Sequence, residues 1–255
     1  MRTLVVIPTY DEAGNVEPLL RRLRAVVPAA HVLVVDDASP DGTAAIVEAL
    51  GRELGQIEVL HRPGKAGLGR AYREGFAKGL AAGYEVIVQM DADLSHDPDA
   101  LPSLLAPLEA GAGDVVIGSR YVPGGSIPAW PWHRRALSRI GNRYATTVLE
   151  VSARDITSGY RAYLAPTLAG LDLATVRADG YGFMIELARR GSARGVRFVE
   201  VPITFADRVR GESKMSARII VEALVLVTAW GVKDRLGRRG RRRDAAGSRR
   251  SEPAA

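Results

Sequence analysis

The stretch Val86 to Pro98, VIVQMDADLSHDP, runs from an apolar segment into two aspartates one residue apart and then into polar turn residues. An apolar run of this length reads as a buried β-strand, so the residues after it stand at a sheet edge. Asp91 and Asp93 address one site if the backbone turns there. Two hard carboxylates suit Mg2+ or Mn2+, ions that keep coordination positions for phosphate oxygens, and the pair therefore suggests a nucleotide-diphosphate site. Asp, Ser and Pro also favour an ordinary solvated turn, and these residues alone leave both readings open.

Working outward, the chain upstream repeats one pattern. RTLVVI (2–7) reads as a strand, residues 8–15 as a loop, and Val16, Leu19, Leu20, Leu23 and Val26 recur at helical spacing. HVLVVDD (31–37) begins a second unit, followed by the turn SPDG, with Thr43 as N-cap of a helix carrying Ile46, Val47, Leu50 and Leu54. IEVLH (57–61) begins a third, with the loop RPGKAGLG and a helix over 70–82. Strands alternating with helices of this length predict an α/β fold with a doubly wound parallel sheet.

Ligands of such sheets collect outside the carboxyl ends of the strands. There stand Pro8, Thr9, Tyr10, Asp11 and Glu12 from the first unit, Asp36 and Asp37 from the second, and His61 with Lys65 from the third. Asp91 and Asp93 complete the row. The first strand is followed by no GxGxxG loop, and the chain contains no GxxxxGK[ST], which argues against nicotinamide enzymes and P-loop NTPases. GKAGLG reads first as a plain helix-entry turn.

Beyond Asp93 a helix with Leu101, Leu104, Leu105 and Leu108 leads to the strand DVVIGSR, ending at Arg120, and the loop YVPGGSIPAW. The regular alternation then breaks down. Residues 132–149 read as a helix bearing Arg134, Arg135, Arg139 and Arg143, and DITSGYRAY brings Asp155, Ser158 and Arg161. Such arginines form a solvated face or receive a phosphorylated lipid, for which cations must stand beside an apolar surface. Helix GFMIELARR, strand VRFVEVPITF and loop ADRVRGESKMS follow. The last apolar segment, IIVEALVLVTAWGV, is shorter than the ~20 residues a bilayer span needs and contains Glu222. It either packs into the core or lies in a membrane interface, and Trp230 with the arginines beyond it favours the interface.

Composition is that of a globular protein, 47% apolar and 25% charged over 255 residues. Lack of cysteine excludes disulfides and thiolate metal sites, and the four histidines have no zinc-like spacing. The N-terminal apolar run is too short for a secretory signal, so a cytoplasmic location is expected. Eight arginines against Asp244 and Glu252 in residues 235–255 carry the whole net charge of +6, leaving residues 1–234 neutral. Gly237–Ala255 reads as disordered, serving solubility or attraction to an anionic surface.

VVIPTYDEAGN, VLVVDDASPDGT, KAGLGRAY, MDADLSHDP, VIGSRYVPGG, DITSGYRAY and RVRGESKM stand in this order between residue 5 and about residue 215. In them the chain resembles the polyprenol-phosphate (dolichol-phosphate) mannose synthases of glycosyltransferase family 2. Single motifs are shared across that large family; the arginine-bearing helix, TSGYR and RxxGxSK together are more specific.

The resemblance implies a GT-A (Rossmann-like) fold with a mostly parallel central sheet flanked by helices. The GT-A domain would span 1–233, with 215–233 as the apolar or interfacial helix and 234–255 as the Arg-rich tail. It implies inverting transfer of mannose from GDP-mannose to a polyprenyl monophosphate. Pro8, Tyr10, Glu12, Val35 and Asp37, with Asp36 as the alternative to Asp37, would hold the guanine and ribose. Asp91 and Asp93 would hold Mg2+ or Mn2+ against the pyrophosphate, with Ala92 close to the nucleotide. Ser95 stands where the family can have glutamine, and its short hydroxyl would reach the ion through water. Arg208 and Lys214 would close over the donor phosphates; Arg120, Arg134 and Ser138 would receive the acceptor phosphate. The implied partners are GDP-mannose, polyprenyl phosphate and the cytoplasmic membrane surface, with an integral-membrane partner or reversible surface binding, and no nucleic acid. Three rivals remain: another donor such as UDP-glucose, a non-catalytic nucleotide-sugar-binding protein of the membrane surface, and an unrelated enzyme whose Arg tail is a nucleic-acid arm.

Overall fold

A computed structural model describes residues 1–206 and 223–236. Seven strands form one sheet in the order β3-β2-β1-β4-β6-β5-β7. They are β1 (Thr3–Thr9), β2 (His31–Asp36), β3 (Ile57–His61), β4 (Val86–Gln89), β5 (Val115–Ser119), β6 (Arg161–Leu164) and β7 (Phe198–Pro202). All run in one direction except β6, which lies antiparallel between β4 and β5. The helices are α1 (Ala13–Val26), α2 (Thr43–Leu54), α3 (Leu68–Ala81), α4 (Leu101–Glu109), α5 (Trp132–Leu149), α6 (Ala165–Ala169), α7 (Gly180–Ala193) and α8 over 223–236.

The sheet is covered on both faces, because its side chains alternate between two apolar layers. Along β1, Leu4 and Val6 join a cluster with Phe76 of α3 and Phe183 of α7, while Val5 and Ile7 join Leu19 and Leu20 of α1 and Leu101 of α4. Gly75 and Gly79, one turn apart on α3, let that helix lie close on β1. A Cβ at Gly75 would stand 2.4 Å from Val6 Cγ1, and one at Gly79 2.7 Å from Leu4 Cδ2. This seating brings the next inward residue of α3, Tyr72, over the end of β4.

One strand lies outside the sequence expectations, and two local expectations are corrected. Strand β6, within RAYL, is not evident in the pattern, since four residues headed by an arginine carry no strand signature; Arg161 is nevertheless fully buried. Thr43 is not the N-cap of α2: Gly42 is, at φ 85°, and Thr43 donates both its amide and its hydroxyl to Asp41. Trp230 faces the protein rather than an interface, half-buried against the core with the Arg189 guanidinium 5.6 Å from its ring centroid. It is the other side of α8 that exposes Leu224, Val225, Val232 and Leu236.

Candidate active site

The antiparallel β6 decides what meets at the carboxyl edge. Gln89, at the end of β4, pairs with Arg161, at the start of β6, so the lead-in segment 155–160 lies at the same edge as Asp91 and Asp93. Arg161 anchors this lead-in from inside: its guanidinium donates to the carbonyls of Ser158, Ile156 and Met184. It is therefore a structural arginine and does not face an acceptor.

Asp91 is held on several sides. The Tyr72 hydroxyl donates to its Oδ1 at 2.7 Å, and its own amide donates to His96 Nδ1 at 3.1 Å. A neutral His96 accepting at Nδ1 carries its proton on Nε2, which lies 4.0 Å from Asp91 Oδ2. Burial first, and then the charge of Asp91, push the Tyr72 phenol well above its ordinary pKa, so it stays a donor. Asp93 is buried, and its Oδ1 accepts from the Ser95 amide at 3.1 Å and from the Ser95 hydroxyl at 2.5 Å. Ser95 thus orients Asp93. Ala92, between the two aspartates, is buried in the α1/α4 layer.

Among the described residues no three His, Asp or Glu side chains converge into a cation cage. The two carboxylates, one on either side of Ala92, supply oxygen donors alone. Gly159 lies beside the pair, and a Cβ there would be in ordinary van der Waals contact with Asp91 Oδ2 at 3.5 Å. Such a donor set fits a hard divalent ion that completes its shell with substrate oxygens.

At the β1 and β2 ends, the amides of Asp11, Glu12 and Ala13 donate to Ser39, Thr43 and Asp41, locking the two strand-end loops together. Asp36 is buried and taken up by Thr9 and Ser39. Asp37 pairs with buried Arg62 and accepts from the Ala66 amide at 3.3 Å. Arg62, which the sequence reading passed over, also donates to Glu74 at 3.1 Å. Tyr10 lies beneath Lys65, whose Nζ is 3.8 Å from the ring centroid, and Glu12 accepts from Asn15 at 2.7 Å. Pro8 is half-buried opposite Val35, whose side chain belongs to the core below α3.

Arg120 ends β5 in a buried bidentate pair with Asp155, Nε to Oδ2 at 2.7 Å and Nη2 to Oδ1 at 2.6 Å, and it also donates to Thr157. Burial opposes both charges, but the attraction prevails: the guanidinium is held above its usual pKa and the Asp155 carboxyl below its own. Tyr121 and Asn142 tie this pair to α5, Tyr121 by donating to Ser138 Oγ at 2.6 Å and Asn142 by donating to Thr157 at 2.9 Å. Arg134 lies over the Trp130 ring at 3.9 Å. Phe205 joins the parts, with its ring 5.9 Å from that of His96, 5.8 Å from that of Trp130 and 5.4 Å from the Arg120 guanidinium. One aromatic chain therefore runs from the Asp91 neighbour to both arginines. Arg208 and Lys214 lie outside the described residues, as do 215–222 of the apolar segment and Gly237–Ala255.

Residues 4–168 match the model of glycosyl transferase family 2. The chain belongs to glycosyltransferase family 2. Two family relatives span nearly the whole chain: the polyprenol monophosphomannose synthase of Mycolicibacterium smegmatis, 49% identical across 93% of this chain and 89% of its own, and the undecaprenyl-phosphate mannosyltransferase of Micrococcus luteus, 49% identical across 92% and 96%. The GT-A architecture recurs in solved structures of low identity. A Mycobacterium tuberculosis glucosyl-3-phosphoglycerate synthase with Mn2+ and UDP-glucose superposes with a TM-score of 0.64 at 20% identity, covering 89% of this chain and 80% of its own. A Pyrobaculum calidifontis mannosyltransferase with GDP-Man and Mn2+ gives 0.62 at 20% identity, covering 91% and 64%.

Proposed function

We propose that this family 2 protein is a polyprenol-phosphate mannosyltransferase that moves mannose from GDP-mannose to a polyprenyl monophosphate with inversion at the anomeric carbon. The observation that carries this reading is the layout of one sheet edge. A carboxylate pair at β4 and an arginine-bearing end at β5 and α5 are held in one frame by His96, Phe205 and Trp130. The two relatives that span the chain transfer mannose to polyprenyl phosphates, by their names, which supports the sugar and the acceptor class.

Asp91 and Asp93 would hold Mg2+ or Mn2+, which when bound neutralises charge developing on the leaving nucleoside diphosphate. The loops after β1 and β2 would receive the nucleoside, with Asp37 fixed by Arg62. Arg208 and Lys214 would meet the donor phosphates. Arg134, Ser138 and the outer edge of the Arg120 guanidinium would orient the acceptor phosphate in line with the anomeric carbon. A phosphate monoester is already largely ionised near neutral pH, its second pKa being about 6, so no strong general base is required. Asp155, fully paired with Arg120, then serves position rather than proton transfer.

An acceptor with a hydrocarbon tail would bring the protein to the membrane as a peripheral protein, on the cytoplasmic face in this reading, and the surface of α5 supports attachment to a bilayer. No described helix is long and apolar enough to cross a bilayer. Helix α5 exposes Trp132, Leu137 and Ile140 among its arginines, and Tyr144 joins it to α8 through Thr228 at 2.7 Å. The test is purified protein with short polyprenyl phosphate, Mg2+ or Mn2+, and GDP-mannose or UDP-glucose in parallel. Lipid-linked mannose from GDP-mannose is expected. Product from UDP-glucose alone overturns the donor, and nucleotide binding without any turnover overturns the enzyme.

A further inference from the structure

Ala66, the first turns of α3 and the segment before α7 line an open cleft of about 340 Å3 whose wall includes three arginines, Arg70, Arg73 and Arg177. Arg70 and Arg73 lie one turn apart on α3, on a different face from Tyr72 and its partner Asp91. Arg177 arrives from a remote part of the chain, and Arg73 holds that segment by donating to the Val176 carbonyl at 3.1 Å.

The charges in this cleft are unbalanced. Arg62, Arg120, Arg189 and Arg190 each face a carboxylate, whereas Arg70 and Arg177 make no hydrogen bond or ion pair with any described residue. The single acid in the lining, Asp179, leaves three arginines against one carboxylate and is itself engaged by backbone. Its Oδ1 accepts from the Gly69 amide at 2.5 Å and from the Gly180 amide at 2.8 Å, and its Oδ2 fills the place a Cβ on Gly67 would need. Three like charges in one concavity repel each other, and a concave wall concentrates their field. An anion with several oxygens relieves that repulsion, and guanidinium forks match phosphate geometry.

We propose that the Arg70/Arg73/Arg177 cleft is a phosphate-binding site separate from the Asp91/Asp93 site. The shared chemistry is a phosphate group, carried by free phosphate or by an anionic lipid headgroup.

Binding of inorganic phosphate to the full chain, measured by calorimetry in EDTA, tests the free source. Flotation with phosphatidylglycerol vesicles, against phosphatidylcholine vesicles, tests the headgroup. The variants are Arg70→Gln/Arg177→Gln and, as control, Arg52→Gln on α2; both target arginines are exposed, so the fold is expected to persist, and Arg177→Gln alone serves if the double variant does not fold. Phosphate binding weakened about tenfold or more in the double variant and unchanged in the control supports the site with a free source. A loss confined to phosphatidylglycerol vesicles supports it with the lipid source. Wild-type behaviour of the double variant towards both probes, or wild-type protein binding neither, overturns it.

Discussion

The Tyr72 hydroxyl donates to Asp91 Oδ1 at 2.7 Å from a side chain with no solvent exposure, stacked 6.0 Å from Phe183. A carboxylate held this way presents its other oxygen in one direction. Tyr72→Phe keeps the packing and removes the donor, so Mn2+ affinity, read by electron paramagnetic resonance, is expected to fall about 10- to 100-fold, with turnover falling alongside. Unchanged Mn2+ affinity would show that Tyr72 only fills the core.

Asp93→Ala removes a proposed ion ligand from the turn that follows β4. Transfer to polyprenyl phosphate is expected to be abolished while the far-ultraviolet circular dichroism stays native. Ser95→Ala, which removes only the 2.5 Å donor to Asp93, should cost far less. Full activity of Asp93→Ala would sink the assignment of this pair.

Asp155→Asn leaves the buried Arg120 charge without its bidentate partner, and a loss of about 3–5 kcal/mol in unfolding free energy is expected. The pH dependence follows from the same pair. The folded Asp155 carboxyl lies below its ordinary value of 3.8, so the folded state takes up this proton later than the unfolded chain as the solution is acidified. Its contribution is full well above pH 3.8 and is lost as the pH falls through the lower, folded value. Denaturant titrations from pH 6 to about pH 2.5 should show wild type losing this increment and Asp155→Asn lacking it throughout; parallel curves would contradict the pairing.

Trp132 is 75% exposed and Ile140 66%, on the helix that also carries Arg135, Arg139 and Arg143. Trp132→Ser/Ile140→Ser removes apolar area without touching the core. Sedimentation with anionic vesicles is expected to drop several-fold at unchanged melting temperature. Undiminished sedimentation would assign membrane attachment elsewhere.

Much of the frame is legible in local pattern. The βα units through Asp93 follow from apolar runs and helical spacing, and each strand end delivers its polar residues to one edge as the parallel sheet requires. The partners at that edge are not legible. Tyr72 reads as one more apolar position of α3, His96 as a turn residue, Arg62 as the start of a loop, and Phe205 as the tail of a strand. Each acquires its role by meeting a residue distant along the chain: Tyr72 meets Asp91, Arg62 meets Asp37, and Phe205 lies between His96 and Arg120. Asp36 and Asp37 are indistinguishable as neighbours in sequence, but the strand alternation sends one to Thr9 and Ser39 and the other to Arg62.

The sequence by itself determined the doubly wound frame, the edge at which its polar residues gather and, through its motifs, the family, because periodicity and turn chemistry act over a few residues. Only the tertiary structure decided that RAYL enters the sheet antiparallel, that Arg161 is an internal anchor while Arg120 is clamped by Asp155, and that Asp91 is oriented by Tyr72 and His96. Those outcomes depend on burial and on hydrogen bonds between remote segments, and a side chain with a buried charge or hydroxyl takes whichever partner the packed chain places within reach.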